Sequence, residues 1–488
     1  MKRLNRRQFL ALMAGSAATA FELSGCRRPL AGDWDNVSKR PNILFIFSDQ
    51  QHFQALGFKN GFFDTPNLDR FAEESVVFDN CFCTTPQCSP TRSSIMTGLY
   101  PHKTGVTANI HHAGGNLLNQ RTIAVKLQNA GYHTAYYGKW HLGKKKTAIE
   151  GWDEDYGVSN VGGQRDRGIT QKAVTFLRSK ARLQKPFALF LSYNNPHDIY
   201  YYQDYKYAGE PDKTPLPDSW HQETFLNKPG PQKEFMTEDQ GRVIWGKDKK
   251  HWQLYRQCYK AKVALYDNHV GKVLKELKKR RLADNTIVII TSDHGDMDTN
   301  HHIILKGPFM YEHLIRVPLM IHVPQRFGGM KPCRITDLDV VHVDFFPTLL
   351  DFCGIAPAQC DGISLKPILT GTQCQKKRPF VIGQFYAKQR WVTPIRMLRT
   401  AEFKYVKYLG AGDELYDLKN DPHELVNLAG DPQYAEIENK LAGMLDNWIQ
   451  TNSDPFYSLK PVRLEKGIRY EKAWQIPYKK PQPDKEKK

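Results

Sequence analysis

Several features are absent from this 488-residue chain, and each absence narrows what it can be. There are no internal repeats, which excludes an architecture stacked from copies of one unit. No nucleic-acid motif accompanies the formal net charge of +18, so the excess of 69 Lys and Arg over 51 Asp and Glu points instead to an acidic membrane surface or a polyanionic substrate. The lysines are scattered, and the runs at Lys144 to Lys146, Lys278 to Arg281 and the tail read first as solvated surface. Cysteine spacing gives no disulfide framework: Cys81/Cys83 and Cys353/Cys360/Cys374 follow no pattern from which a pairing can be assigned. The apolar stretch Phe9 to Ala20 is too short to cross a bilayer.

What is present begins with a targeting segment, Met1 to Cys26, whose basic start Lys2-Arg3-Leu4-Asn5-Arg6-Arg7 precedes that short apolar stretch. Arg6-Arg7-Gln8-Phe9-Leu10 resembles a twin-arginine export signal, and Leu23-Ser24-Gly25-Cys26 resembles a bacterial lipobox with Cys26 as the lipidated residue. A plain secretory signal with an accidental lipobox is the other reading, and each implies export. Residues 27–40 read as a tether. The remaining length suits a large α/β domain with a smaller appendage.

Pro41-Asn42-Ile43-Leu44-Phe45-Ile46-Phe47 is a continuous apolar run, as expected of a strand buried on both faces of a mostly parallel sheet, and it stops in Ser48-Asp49-Gln50. Three more segments repeat the pattern. Thr134 to Tyr137 leads into Gly138-Lys139-Trp140-His141, Phe187 to Leu191 into Asn194-Asn195-Pro196-His197, and Thr286 to Ile290 into Thr291-Ser292-Asp293-His294-Gly295-Asp296. Ligands of an open α/β sheet bind beyond the carboxyl ends of its strands, so the four polar clusters should converge. Helical patterns cover Thr122 to Asn129, Ile169 to Ala181, Tyr255 to Lys279 and Asp344 to Phe352, and Val317 to Val323 reads as a strand. Residues 198–250 carry many tyrosines and little periodicity, as a pocket rim or a self-packed loop would. Beyond Thr370, Phe380 to Phe385, Trp391 to Leu398 and Tyr405 to Leu409 look like antiparallel strands, and Ala435 to Thr451 like a terminal helix.

Cys88-Ser89-Pro90-Thr91-Arg92 is the stretch with the most chemistry. Pro90 suits a first helical turn and Gly98 a helix stop, which sets residue 88 at a helix N-terminus, where an anion is favoured. A buried small residue or half of a disulfide is the bland reading of Cys88. The five residues resemble the Cys-X-Pro-X-Arg maturation signature of the type I sulfatases, within the alkaline phosphatase-like superfamily, and Ser93 to His102 resemble its continuation. Glu414 to Glu424 resemble the C-terminal segment of many sulfatases, so the likeness covers most of residues 41–430.

The resemblance implies an alkaline phosphatase-like α/β fold: a large mostly parallel or mixed sheet between helices over 41–372 and a C-terminal α+β subdomain over 373–478; the Lys/Pro-rich composition of 479–488 reads as a disordered basic tail. It implies that Cys88 is oxidised to formylglycine by a formylglycine-generating or anaerobic sulfatase-maturating enzyme. It makes Asp49, Gln50, Asp293 and His294, with residue 88, the ligands of one divalent cation, Ca²⁺ first with Mn²⁺ or Mg²⁺ as the other choices. Most members have Asp-Asp and Asp-Asn where this chain has Asp49-Gln50 and Asp293-His294, which leaves the metal open. Strand-end capping is the plain alternative for Asp49 and Asp293. The likeness gives Lys139 and Lys306 the sulfate, His141 the formylglycine hydroxyl, Arg92 the bracing of residue 88, and His197 the protonation of the departing alcohol. His111, His112, His301 and His302 could line the pocket or be local structure, and His102 reads as structural. The implied protein is an exported, lipid-anchored bacterial sulfatase, periplasmic or on the outer membrane, acting on a sulfated glycan and touching membrane only through Cys26. A phosphonate monoester or phosphodiester hydrolase of the same superfamily and a non-catalytic glycan-binding lipoprotein are the competing readings.

Overall fold

The apolar run after Pro41 forms strand β1 (Asn42–Asp49), every residue of which is buried. The computed structural model describes residues 40–110, 115–143, 151–157, 165–180, 185–204, 211–356, 359–372, 377–389 and 391–463. The export segment, the Cys26 lipobox, most of the tether, His111, His112, Lys144 to Lys146, Cys374 and the tail lie outside these residues.

Among the described residues β1 joins β2 (Val76–Phe82), β3 (His133–Gly138), β4 (Glu154–Gly157), β5 (Phe187–Pro196), β6 (Thr286–Ser292), β7 (Arg316–His322) and β8 (Cys333–Val341) in an eight-stranded sheet. The order is β4-β3-β5-β1-β6-β7-β2-β8, and β7 alone runs against the rest. The central strands read as unbroken apolar runs because helices cover both faces. Ile43, Phe45 and Phe47 pack with Phe345, Leu349 and Leu127 from the helices Phe345–Phe352 and Ile123–Asn129. Leu44 and Ile46 point the other way, toward Phe176, Tyr266 and Val270 of the helices Arg165–Lys180 and Lys249–Lys279.

In this sheet the strands that the sequence pattern does not reveal are β2, β4 and β8. Asp79 and Asn80 interrupt β2 where its register shifts, and β4 and β8 are edge strands carrying exposed polar residues. The long helix starts at Lys249 rather than Tyr255, because the Asp248 carboxylate accepts from the His251 amide and caps a polar first turn. Residues 211–243 hold two short helices, Asp218–Gln222 and Gly230–Glu238, and 3₁₀ turns. Helices of five and nine residues begun at prolines show too little of a turn-by-turn pattern to be read from composition.

A second sheet holds β9 (Val381–Lys388), β10 (Trp391–Arg399), β11 (Phe403–Tyr408), β12 (Gly412–Asp417) and the short β13 (Val462–Arg463). The helix Ala435–Thr451 packs on it through Leu441, Leu445 and Ile449. Buried ion pairs tie it to the approach to β7: Glu312 meets Arg399 at 3.0 Å and Lys404 at 2.8 Å, and Lys404 also meets Glu424 at 2.6 Å. Among the described residues no helix is long and apolar enough to cross a membrane, and Cys81, Cys83, Cys88, Cys258, Cys333, Cys353 and Cys360 form no disulfide with one another.

Candidate active site

Strand register brings the polar ends together. Ser48 lies opposite Ser292, Asp49 opposite Pro196, and Gly138 opposite Ser192, so β1, β3, β5 and β6 finish at one edge of the sheet. Gly138 has φ +117°, and a Cβ there would sit 1.9 Å from the Ser192 carbonyl oxygen, so only glycine lets β3 close on β5 and turn Lys139 inward. Into this edge points the helix Cys88–Thr97, whose ten residues are all buried. Cys88 is its first residue, and Gly98 ends it at φ +71° in the left-handed region, donating to the Ser94 carbonyl.

One turn along that helix, Arg92 holds the cluster together. Its Nε donates to Asp293 Oδ2 at 2.8 Å and Nη2 to Asp49 Oδ2 at 3.0 Å, while Nη1 donates to the Lys139 carbonyl at 2.6 Å and Ser192 Oγ at 2.7 Å. All of its bonds go to neighbouring residues, and it is 1% exposed. Around Cys88 Sγ stand Lys306 Nζ at 3.2 Å, His294 Nε2 at 3.2 Å, Lys139 Nζ at 3.6 Å and Asp49 Oδ1 at 3.7 Å. His141 also hydrogen-bonds Cys88, and its Nδ1 is buried without a partner. His197, half-buried just beyond β5, likewise has an unpartnered Nδ1 and lies 4.8 Å from the Tyr200 ring.

Charge follows geometry. Burial opposes ionisation of the Cys88 thiol, but Lys139, Lys306 and His294 outweigh it and hold the group well below its usual range. Asp49 is buried and faces Cys88, yet Lys139, His197 and Lys306 keep its carboxyl below the ordinary value, whereas burial and the Asp49 charge push Asp293 up. Desolvation, with the Lys139 charge beside it, drives the His197 imidazolium well below its usual range, and desolvation lowers His141 too.

Asp49, Cys88, Asp293 and His294 each offer one ligand atom, and the four atoms lie within 4.8 Å of one another. His294 Nδ1 sits 2.9 Å from the Gly295 carbonyl, which can only accept, so that nitrogen carries a proton and Nε2 is the one that faces Asp49 at 3.8 Å and Asp293 at 3.6 Å. Gln50 Oε1 lies 2.6 Å from Lys306 Nζ, with the amide fixed from behind by its own Nε2, which donates to Asp296 Oδ2 at 2.6 Å. Two carboxylates and an imidazole around one point, with the Gln50 amide oxygen on the adjoining Lys306 ammonium, fit a divalent cation.

The structure thus gathers Asp49, Gln50, Cys88, Arg92, Lys139, His141, His197, Asp293, His294 and Lys306. It leaves three other histidines aside. His301 Nδ1 is 2.8 Å from Glu223 with its ring stacked 4.0 Å from Tyr311, His302 packs on Trp220 and Trp252, and His102 lies between Gln384 and the Asn452 carbonyl. The sequence places Asp296 in the converging Asp293-His294-Gly295 segment but gives it no role, and the structure sets it behind Gln50. The sequence does not single out Lys388 at the end of β9, which nothing local distinguishes from the other lysines.

Known proteins decide what this edge belongs to. The family model described as Sulfatase matches residues 41–355, and that described as N-sulphoglucosamine sulphohydrolase, C-terminal, matches residues 301–451. The chain belongs to the sulfatase family. This sulfatase is 30% identical to a Δ4,5-hexuronate-2-O-sulfatase of Bacteroides thetaiotaomicron, over 88% of this chain and 93% of that one. It is 29% identical to an N-acetylglucosamine-6-O-sulfatase of the same organism, over 92% and 93%. A solved 2-O GAG sulfatase superposes with a TM-score of 0.76 at 27% identity, covering 87% of this chain and 95% of that one. As a sulfuric ester hydrolase with the alkaline phosphatase-like α/β architecture, the sulfatase uses the fold that the resemblance implied.

Proposed function

We propose that this sulfatase hydrolyses sulfate esters on a glycan through a formylglycine made from Cys88, at the cluster of Asp49, Gln50, Asp293 and His294. The observation that supports it most is residue 88 at a buried helix N-terminus, within 3.7 Å of two lysines, an imidazole and a carboxylate. Cys88 Sγ here stands where the hydroxyls of the matured residue would project. Once matured, residue 88 would supply a hydrated aldehyde, one hydroxyl attacking sulfur and the other later losing its proton to release sulfate. A bound divalent cation, Ca²⁺ as first choice, would supply Lewis acidity to the sulfate oxygens. Lys139 and Lys306 bind and orient the sulfate, and their charges offset what builds on its oxygens in the transition state. Arg92 braces Asp49 and Asp293, His141 holds the hydroxyl of residue 88, and His197 delivers a proton to the departing sugar oxygen.

Support for a glycan comes from relatives named for sulfated hexuronate and N-acetylglucosamine, and from a structural neighbour at 26% identity and TM-score 0.70 described in complex with D-glucosamine-2-N,6-O-disulfate. The basic charge suits a polyanion. Export as a lipid-anchored protein through the first 26 residues belongs to the same proposal, as does the division into a catalytic part over 41–372 and a C-terminal part over 373–478. Gln50 and His294 favour one second reading, a phosphonate monoester or phosphodiester hydrolase. Protein matured in its own cell, assayed on an aryl sulfate and an aryl phosphodiester, should prefer the sulfate, with peptide mass spectrometry finding formylglycine at 88. Preference for the diester would replace the first reading with the second, and an unmodified, inactive Cys88 would leave only glycan binding.

A further inference from the structure

Beyond the scissile sulfate, the rest of the substrate must lie against whatever lines the way out. Tyr200 stands there: its ring is 4.8 Å from that of His197 and 5.8 Å from Lys306 Nζ, and its hydroxyl donates to Gln240 Oε1 at 3.4 Å. Gln240 opens onto a cleft of about 660 Å³ lined also by Glu238, Asp239, Arg242, Val243 and Gln389. Lys388, the last residue of β9, directly precedes Gln389 of that cleft.

Lys388 is 3% exposed. Its ammonium donates to the Lys306 carbonyl and lies 4.7 Å from the Phe235 ring centroid. Among the described residues no carboxylate forms an ion pair with it; Asp239 supplies the strongest opposite field and Lys306 the strongest like one. Burial, chiefly, brings its titration down to about 7. A buried lysine without a counter-ion is unfavourable unless an anion arrives. The charges nearby are already committed: Arg92 to Asp49 and Asp293, and Lys139 and Lys306 to the sulfate in the reading above. Arg92, Lys139, Lys306 and Lys388 lie near one another here, and the field of Lys388 reaches residue 88 and Asp296.

We propose that Lys388 receives a second anionic group of the substrate, a carboxylate or another sulfate on the sugar that bears the scissile ester, while Tyr200 covers a face of that sugar. Lys388 is then a specificity-determining residue, and its role rests on the sulfate-ester reading. The rival role is purely positional: the bond to the Lys306 carbonyl would hold Lys306 in place whatever the substrate.

The matured enzyme and its Lys388→Gln and Lys388→Arg variants are assayed on 4-nitrophenyl sulfate, a monosulfated N-acetylhexosamine, a disulfated hexosamine and a sulfated hexuronate. A charge-assisted hydrogen bond of ordinary strength corresponds to about ten- to a hundredfold in affinity. Wild type should accordingly favour a dianionic sugar in kcat/KM by about tenfold or more. K388Q should lose about a hundredfold on that sugar, mainly through KM, and no more than about tenfold on the two substrates with a single charge, with K388R restoring most of the loss. Selective loss on the disulfate or on the hexuronate tells which anion Lys388 takes. Equal losses on all four substrates, a fall in kcat with KM unmoved, or a wild-type preference for the singly charged sugar would overturn the assignment, and the last needs no variant. If wild type cleaves none of the sulfate esters, the sulfate-ester reading itself falls, and the role of Lys388 with it.

Discussion

The two ends of β6 differ in a way that volume alone would misread. At its start, Val288 and the nearby Ala283 border a cavity of about 440 Å³ lined by Phe71, Leu274 and Leu277, with Arg70, Lys275 and Lys278 at its rim. The rim cations there are ordinary surface charges, and Lys278 is already paired with Glu74 at 2.7 Å. At its finish, Asp293 and His294 sit in a space filled by side chains, where two carboxylates, an arginine and two lysines are each at most 2% exposed. Charge is costly to bury, so a dense cluster of mutually paired ions marks the working end more reliably than an empty apolar hollow does. Four variants test that contrast.

The largest effect should follow Arg92→Ala. It removes the cation shared by Asp49 and Asp293; Asp49 keeps Lys139 at 2.6 Å, but Asp293 loses its arginine in a buried site, which typically costs about 3–5 kcal/mol. Turnover should vanish, and the denaturant midpoint should fall; adding divalent cation should return part of the stability and none of the activity. A variant as stable as wild type without metal would mean that the cluster is not held by charge.

His197→Ala comes next. General acids contribute about 10²–10⁴-fold, so the loss should be about a thousandfold on a sugar sulfate and much smaller on 4-nitrophenyl sulfate, whose leaving group needs little help. Its imidazolium is depressed well below 6.5 by desolvation and Lys139, so at neutral pH the free enzyme holds the ring neutral. The acid form therefore grows as pH falls. Wild-type kcat/KM on the sugar sulfate should rise from pH 8 downward and level off only below 6.5, and the variant should lose that limb. A flat profile in wild type would take the proton-delivery role away from His197.

The same contrast explains what could be read before the structure. Asp49, Lys139, His141, His197, Asp293 and His294 each follow an apolar run, and the run, the stop and the family likeness agree at all of them. Lys306 follows no strand and came from the likeness alone. Asp296 and Lys388 act across 246 residues and 82 residues of chain, to Gln50 and to Lys306, and no local pattern carries such a contact. Edge strands β4 and β8 stayed hidden because solvent on their exposed residues erases the apolar alternation, and the helices within 211–243 because they are too short to show a face.

Asp296→Asn should have the third effect. Asp296 accepts from Gln50 Nε2 at 2.6 Å and from the Tyr255 hydroxyl at 2.9 Å, which fixes the Gln50 oxygen toward the cluster. An asparagine can present its own amide nitrogen and let Gln50 turn. Loss of such an outer partner typically costs about 10–100-fold in metal affinity, measurable by competition with a chromogenic chelator. Unchanged affinity would make the Gln50 orientation incidental.

Leu274→Phe, at the opposite end, should do least. The residue is partly buried and faces the 440 Å³ cavity, so the larger ring has room and the change in stability should stay within about 1 kcal/mol. Val288 lies on β6 only a few residues before Asp293, which follows the strand's end, but the intervening residues are fully buried and filling an apolar hollow moves no charge. Turnover on a sugar sulfate should therefore remain within about twofold of wild type, the scatter expected of a change that touches no part of the site. A tenfold fall would show that the cavity reports on the catalytic edge through β6. The two ends would then be one device, and the apolar hollow would become a place from which to control the enzyme.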